Sequence, residues 1–290
     1  MNSFCVRDLF ARAFTLAALL LMAYSVEAQT MALAELGKKT HIHGIAVDPG
    51  DGSRLYIATH HGFFVVSPDG QATRISQDTN DYMGFTPHPT DPSVLFASGH
   101  PVGGGNLGFI VSNDGGQNWR QLSTGVRGPV DFHQMDVSKA DANVVYGAFG
   151  GLQVSHDGGK SWKVTGPLPD GLIDLAASGV ATDRLYAATK GGLLYSNDAG
   201  STWRPAHLRV SAATIVQTGH KGEVYAFIAG LGLVRTQEPE LRWNYVSKSF
   251  GERYLIHLAV DPDDSRRLYV VTNDKKVLVS KDGGNTWAEL

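Results

Sequence analysis

One octapeptide pattern recurs along this chain and constrains its fold more than any other feature. "SNDGGQNW" (112–119), "SHDGGKSW" (155–162), "SNDAGSTW" (196–203) and "SKDGGNTW" (280–287) are nearly the same. Their aspartates, Asp114, Asp157, Asp198 and Asp282, lie 43, 41 and 84 positions apart. The last interval is twice 42, so a copy is due near 240; "TQEPELRW" (236–243) stands there with its Trp kept and its turn degraded. A sixth, weaker copy, "SPDGQATR" (67–74), carries Arg74 in the Trp position. All five tryptophans (Trp119, Trp162, Trp203, Trp243, Trp287) fall on that one position. A fixed period of this length is the mark of a repeat architecture.

The chemistry of the pattern is local. Asp and Ser side chains bond to backbone N–H groups of a turn, Gly accepts a left-handed conformation, and Trp buries a large surface between neighbouring units. The segments resemble the Asp box of bacterial neuraminidase repeats, Ser-x-Asp-x-Gly-x-x-Trp. That resemblance implies a propeller in which each box joins the third and fourth strands of a blade, away from the active face. The box residues therefore read as architecture. Each repeat has a second anchor, an aromatic in its second strand: Tyr56, Phe96, Tyr146, Tyr186, Tyr225 and Tyr269. Six repeats of about 44 residues, each with room for four short strands, predict an all-β fold, a six-bladed β-propeller spanning 41–290. Only "AEL" follows the last box, so the final outer strand should be short. Residues 29–40 form a lead-in whose part in closing the ring the sequence leaves open.

Residues 1–28 read as a secretory signal: Arg7 and Arg12, then the apolar run "AFTLAALLLMAY" (13–24), then the small-residue site "VEA" (26–28). That run is too short to span a bilayer, and no later segment is long and apolar enough, so the expected location is the periplasm or the exterior. Cys5, the single cysteine, would leave with the signal and would leave neither disulfide nor thiolate ligand. The formal net charge of −3 gives no nucleic-acid surface.

With the second-strand aromatic as a ruler, the start of each innermost strand lies thirteen residues earlier, at His43, Met83, His133, Ile173, Ala212 and Ile256. The turn between second and third strands lies four residues later, at His60, His100, Gly150, Lys190, Ala229 and Asn273. Both places open on the face opposite the Asp boxes. Blades 1 to 3 thus offer His43, His60, Met83, His100 and His133 to one rim, with His41, His61 and Met135 beside them. In "DFHQMDV" (131–137), His133 and Met135 are two apart, as same-face residues of a strand would be. Imidazole with thioether, and no thiolate, suits copper as Cu(I) or Cu(II), with zinc second because it gains little from Met. Asp131 is a candidate to orient or ligate. His257 begins the sixth inner strand, whereas His88, His156 and His220 fall on the other face.

Asp boxes also occur in sialidases, so exo-glycosidase activity is the rival reading. The Arg-Ile-Pro motif expected early in blade 1 of that family is absent; "HIHGIAV" (41–47) stands there. Arg127, Arg209 and Arg253, with Glu252 and Tyr254, sit in three inter-blade connections at no recognisable spacing, and no pair of catalytic carboxylates stands out. "PVGGGNLG" (101–108) precedes a strand, not a helix, and reads as a rim loop beside His100 rather than a phosphate loop. The boxes also resemble those of the sortilin propeller and of photosystem II assembly factors, although the chain lacks sortilin's cysteine-rich module. That resemblance implies a non-enzymatic scaffold binding a protein, peptide or other ligand on the propeller face. A scaffold without metal is the remaining alternative.

Overall fold

Each repeat folds into a four-stranded antiparallel sheet whose strands follow chain order from the centre outward. The computed structural model describes residues 29–248 and 250–290; the signal expected over 1–28 lies outside them. The innermost strands are Ile42–Asp48, Asp81–Pro87, Met135–Val137, Leu172–Ala177, Ala213–Thr218 and Leu255–Val260. Each adjoins the next and the sixth adjoins the first, so the six blades close a ring around a central channel. Inner and second strands are buried on both faces by neighbouring blades, which explains near-continuous apolar runs such as "RLYIAT" in place of alternation. The last outer strand, Ala288–Glu289, is short as expected. No helix among the described residues is long and apolar enough to cross a membrane.

The Asp boxes join third to fourth strands. In the box of blade 3, Ser155 Oγ donates to Asp157 Oδ1 (2.8 Å) and accepts from Gly159 N (2.8 Å). Asp157 Oδ1 also accepts from the backbone N–H groups of Lys160 and Ser161 at 3.0 and 2.9 Å. Gly159, at φ +86°, lies so close to the Phe109 ring of blade 2 that any side chain would collide with it. Glycine is needed there for both conformation and approach.

The tryptophans fill the seams between blades. Trp119 joins the cluster between blades 1 and 2, with its ring 5.5 Å from Phe63 and 5.0 Å from Tyr82. Trp162, Trp203, Trp243 and Trp287 occupy the next four seams in order. The seam between blades 6 and 1 would need a Trp where Arg74 stands. There the lead-in takes over: Thr30–Ala32 pairs with Gln71–Arg74 as a fifth, outermost strand of blade 1. The helix Leu33–Lys39 then inserts Leu33 and Leu36 among Ile57 and Phe64 of blade 1 and Val271 and Val277 of blade 6. The degraded box of blade 5 is also compensated. Its Glu238 reaches blade 4, accepting from Ser178 Oγ at 2.7 Å and Tyr186 Oη at 2.8 Å.

One local expectation fails. The innermost strand of blade 3 begins only at Met135, so His133 precedes it and the two side chains do not share a strand face. Met135 is 6% exposed and belongs to the apolar cluster between blades 2 and 3, although it borders the channel.

Candidate metal centre on the open face

Antiparallel order puts the first-to-second and third-to-fourth connections at one end of every blade, and the second-to-third and inter-blade connections at the other. His41, His43, His60, His61, His100 and His133 are therefore at the end opposite the Asp boxes. Five of them, with Asp131, form two groups of three, where the spacing predicts one rim cluster. His41, His43 and His60 form one, and His100, Asp131 and His133 the other; within each, one donor atom per residue lies within 4.8 Å of the others.

In the first group, His43 opens the innermost strand of blade 1 and His60 sits in the turn after its second strand, so the hairpin brings them together. Their Nε2 atoms are 3.1 Å apart. His60 Nδ1 lies 2.8 Å from Asp81 Oδ2. The acceptor is a carboxylate, so His60 carries its proton on Nδ1 and leaves a lone pair on Nε2. His43 Nδ1 lies 3.0 Å from Asp81 Oδ1 but off the line a hydrogen bond needs, and both buried atoms are left without a partner. Burial holds His43 down at about 4, against the pull of Asp81, so near neutral pH it carries one proton. With that proton on Nε2, an Nδ1 lone pair faces a carboxylate. With it on Nδ1, two Nε2 lone pairs face each other. A cation between the two Nε2 atoms removes the conflict, and donors about 3.3 Å apart are what a tetrahedral ion with 2.0–2.1 Å bonds requires. The His41 ring is 5.3 Å from that of His60 and solvent-exposed, placed to supply a third imidazole.

In the second group, His100 Nδ1 donates to Gly105 O at 2.8 Å, and its Nε2 is 3.1 Å from Asp131 Oδ2. His133 Nε2 is 2.6 Å from the same oxygen. The hydrogen bond to Gly105 raises the His100 pKa, with Asp131 adding to the effect. That carbonyl is delivered by "GGG" (103–105), whose φ values of +106°, +94° and +91° only glycine adopts without strain. The two groups adjoin, because Asp81 pairs directly with His100 across the first two strands of blade 2.

Of the other sequence candidates, His61 is exposed with its ring 6.3 Å from that of His60, outside the first trio. Met83 is half-buried and lines the channel cavity, whose volume is about 630 Å³, together with His43 and His133. His257 borders the same cavity, its Nε2 donating to Ile42 O at 3.0 Å, and burial holds it at about 4. Sequence reasoning missed Asp81. The signal was available: it lies two residues before the blade 2 slot, as Asp131 lies two before the blade 3 slot.

The channel acids hold the ring together. Asp136 of blade 3 accepts from Thr86 Oγ1 of blade 2 (3.0 Å), from Ala177 N of blade 4 (2.9 Å) and from Lys139 Nζ (2.6 Å). Asp174 accepts from Leu175 N and from Val216 N of blade 5, both at 2.9 Å, while burial pushes it up to about 7. Among the described residues no hydrogen bond or ion pair joins Arg127, Arg209 and Arg253. Several large apolar side chains stand exposed at the histidine-bearing end: Val102 and Phe149 in second-to-third turns, and Leu208, Val210 and Tyr254 in inter-blade connections.

Comparison with known proteins adds family and fold. The model of the family described as Photosynthesis system II assembly factor YCF48 matches residues 109–290. No curated protein sequence matches the chain. Among solved structures, a GH74 enzyme from Niastella koreensis superposes at TM-score 0.61 with 16% identity, over 86% of this chain and 45% of that one. A GH74 xyloglucanase from Xanthomonas campestris gives 0.58 with 21% identity, over 91% and 47%. The structure of YCF48 bound to D1 peptide gives 0.56 with 14% identity, over 90% and 84%. This chain spans less than half the length of the two GH74 chains. At these identities the likeness establishes the propeller fold alone.

Proposed function

The chain belongs to the Photosynthesis system II assembly factor YCF48 family, and from that premise we propose that it is a binding scaffold whose histidine-bearing face takes a copper ion and a peptide segment of a partner protein. The observation that carries the copper reading is the facing pair of His43 and His60 Nε2 atoms, 3.1 Å apart, with His60 backed by Asp81 and the other oxygen of that carboxylate 3.0 Å from His43 Nδ1. Carboxylate-backed imidazoles are the usual dress of a metal-binding histidine, and nitrogen donors favour copper most strongly among the divalent first-row ions. Met83 on the same wall adds a soft donor that would suit Cu(I). The work is done outside the cytoplasm, a reading that rests on the basic start and apolar run of residues 1–28. A peptide partner is supported by the relative solved with D1 peptide and by the exposed apolar residues at the histidine-bearing end. Such a scaffold would serve metal handling or the assembly of a metalloprotein.

Metal content after loading with Cu(I), Cu(II) or Zn(II) and desalting tests the site. Wild type should retain copper at this trio, and H43A/H60A should lose that equivalent; equal retention by both removes the site. A scaffold that works without metal would capture its partner equally well after chelation. Glycoside hydrolysis is the rival reading; the GH74 enzymes share only the fold with this chain, and the channel acids Asp136 and Asp174 are engaged in inter-blade hydrogen bonds. Clear turnover of fluorogenic sialosides or aryl glycosides would displace the scaffold reading.

A further inference from the structure

The geometry points to a second and separate metal site at His100, Asp131 and His133, one that takes a divalent ion of zinc type through two imidazoles and a carboxylate. It goes beyond the copper reading and shares no ligand with it. The first argument is convergence. Asp131 has two carboxylate oxygens to offer two imidazoles. Yet both Nε2 atoms approach Oδ2, at 3.1 and 2.6 Å, while Oδ1 is buried with no partner at all. The Asp131 side chain is only 8% exposed, so that orphaned oxygen is costly unless something else occupies the site. Three donor atoms within 4.8 Å of one another can surround a small ion, with the 2.6 Å contact of His133 opening to about 3.3 Å as the ion enters.

The second argument is orientation. His100 Nδ1 is committed to Gly105 O, which fixes the ring and turns Nε2 toward Asp131. A backbone carbonyl holding the far nitrogen of a ligating imidazole is one of the usual supports for such a ligand. Three consecutive glycines in left-handed geometry bring that carbonyl round, and a Cβ at any of them would meet nothing. The run is explained by backbone path, with no crowding to account for it. The third argument is access. His133 is exposed, with half its side chain in solvent, so an ion can enter and keep a water in its fourth position. The donor set differs from the first trio: one hard oxygen and two imidazoles favour Zn(II), against three imidazoles with a nearby thioether for copper.

The test is Zn(II) binding to the chelator-stripped protein, read as ions per chain after desalting and as affinity by calorimetry. Wild type should retain two equivalents, H133A one, H43A/H60A one, and the triple variant none. H133A changes an exposed residue, so folding is not at issue; a matching circular dichroism spectrum checks this. Gly105→Ala should weaken only the second site, by about 10–100-fold, the usual effect of disturbing a ligand's support. Retention of the wild-type number of ions by H133A overturns the proposal. So does a single wild-type equivalent that both variants lose, which would mean one shared site. Loss in H133A alone, with H43A/H60A unchanged, would keep this site and discard the first.

Discussion

The seam between blades 6 and 1 gives the sharpest test of how this ring holds together. It is the one seam without a tryptophan, and Leu36 of the lead-in helix fills the gap at 2% exposure. Truncating a fully buried Leu to Ala removes its transfer free energy and leaves a cavity, at a cost of 2.7–5.0 kcal/mol in a well-studied series (about 3 kcal/mol expected here). Against a total stability of about 5–15 kcal/mol, that is a large fraction. With a urea dependence of about 3 kcal/mol per molar for a domain of this size, the unfolding midpoint of L36A should fall by about 1 M. Tryptophan fluorescence is the right probe because all five tryptophans sit at the other five seams. A shift seen there means that opening one joint unravels the ring. Leu208→Ala, at a side chain 98% exposed, is the control and should move the midpoint by less than about 0.2 M. If L36A behaves like L208A, the lead-in does not carry the seam. If far-UV signal moves while fluorescence does not, the ring is not a single cooperative unit.

Other outcomes follow from particular contacts. Gly159→Ala forces a side chain at φ +86° into the Phe109 ring and should cost about 3 kcal/mol by chemical denaturation; a loss under about 1 kcal/mol would contradict the close approach. Glu238→Gln weakens charge-assisted bonds to Ser178 and Tyr186 and should cost about 1.5–3 kcal/mol, leaving copper retention unchanged. Hydroxyl groups of Ser161, Thr202 and Thr286 hold Asp157, Asp198 and Asp282 at about 2, below the ordinary 3.8. Because these folded values are depressed, their stabilisation is full above the unfolded value and is lost as pH falls through about 2. Thermal melts should decline over that window, and Asp→Asn at all three positions should flatten the decline. Metal in 100-fold excess over its Kd should add about 2.7 kcal/mol and raise Tm by roughly 5–10 °C for each site filled. H43A/H60A/H133A should abolish that rise.

The fold was legible because its signals repeat. Trp119 and its four counterparts marked period and blade count, and Tyr146 and its equivalents marked the second strands; both signals need only counting. The gathering of His43, His60, His100 and His133 at one end also followed, because antiparallel order decides which end a position faces. What the ruler could not resolve was anything decided by a single residue's neighbours. The shared strand face of His133 and Met135 did not hold because the blade 3 strand starts two residues later than the spacing implied, leaving His133 exposed and Met135 packed in a seam, although both border the channel. Asp81 was overlooked because its role depends on a hairpin partner in another blade, and Glu238 because it acts across a seam from within a broken motif. The lead-in's packing was hidden because Leu33 and Leu36 belong to no repeat, although Arg74 in a tryptophan's place had already marked the seam they fill.

The boxes and the histidines sit at opposite ends of the same sheets, and this separation has a consequence for change. The box residues recur around most of the circle, whereas the histidines of the two trios come from only half of it. Blades 4 to 6 carry Ile173, Lys190, Ala212, Ala229, Ile256 and Asn273 at the corresponding positions without loss of architecture. Side chains at that end can therefore be exchanged, removed or copied to the other half of the ring with the framework beneath indifferent to the edit.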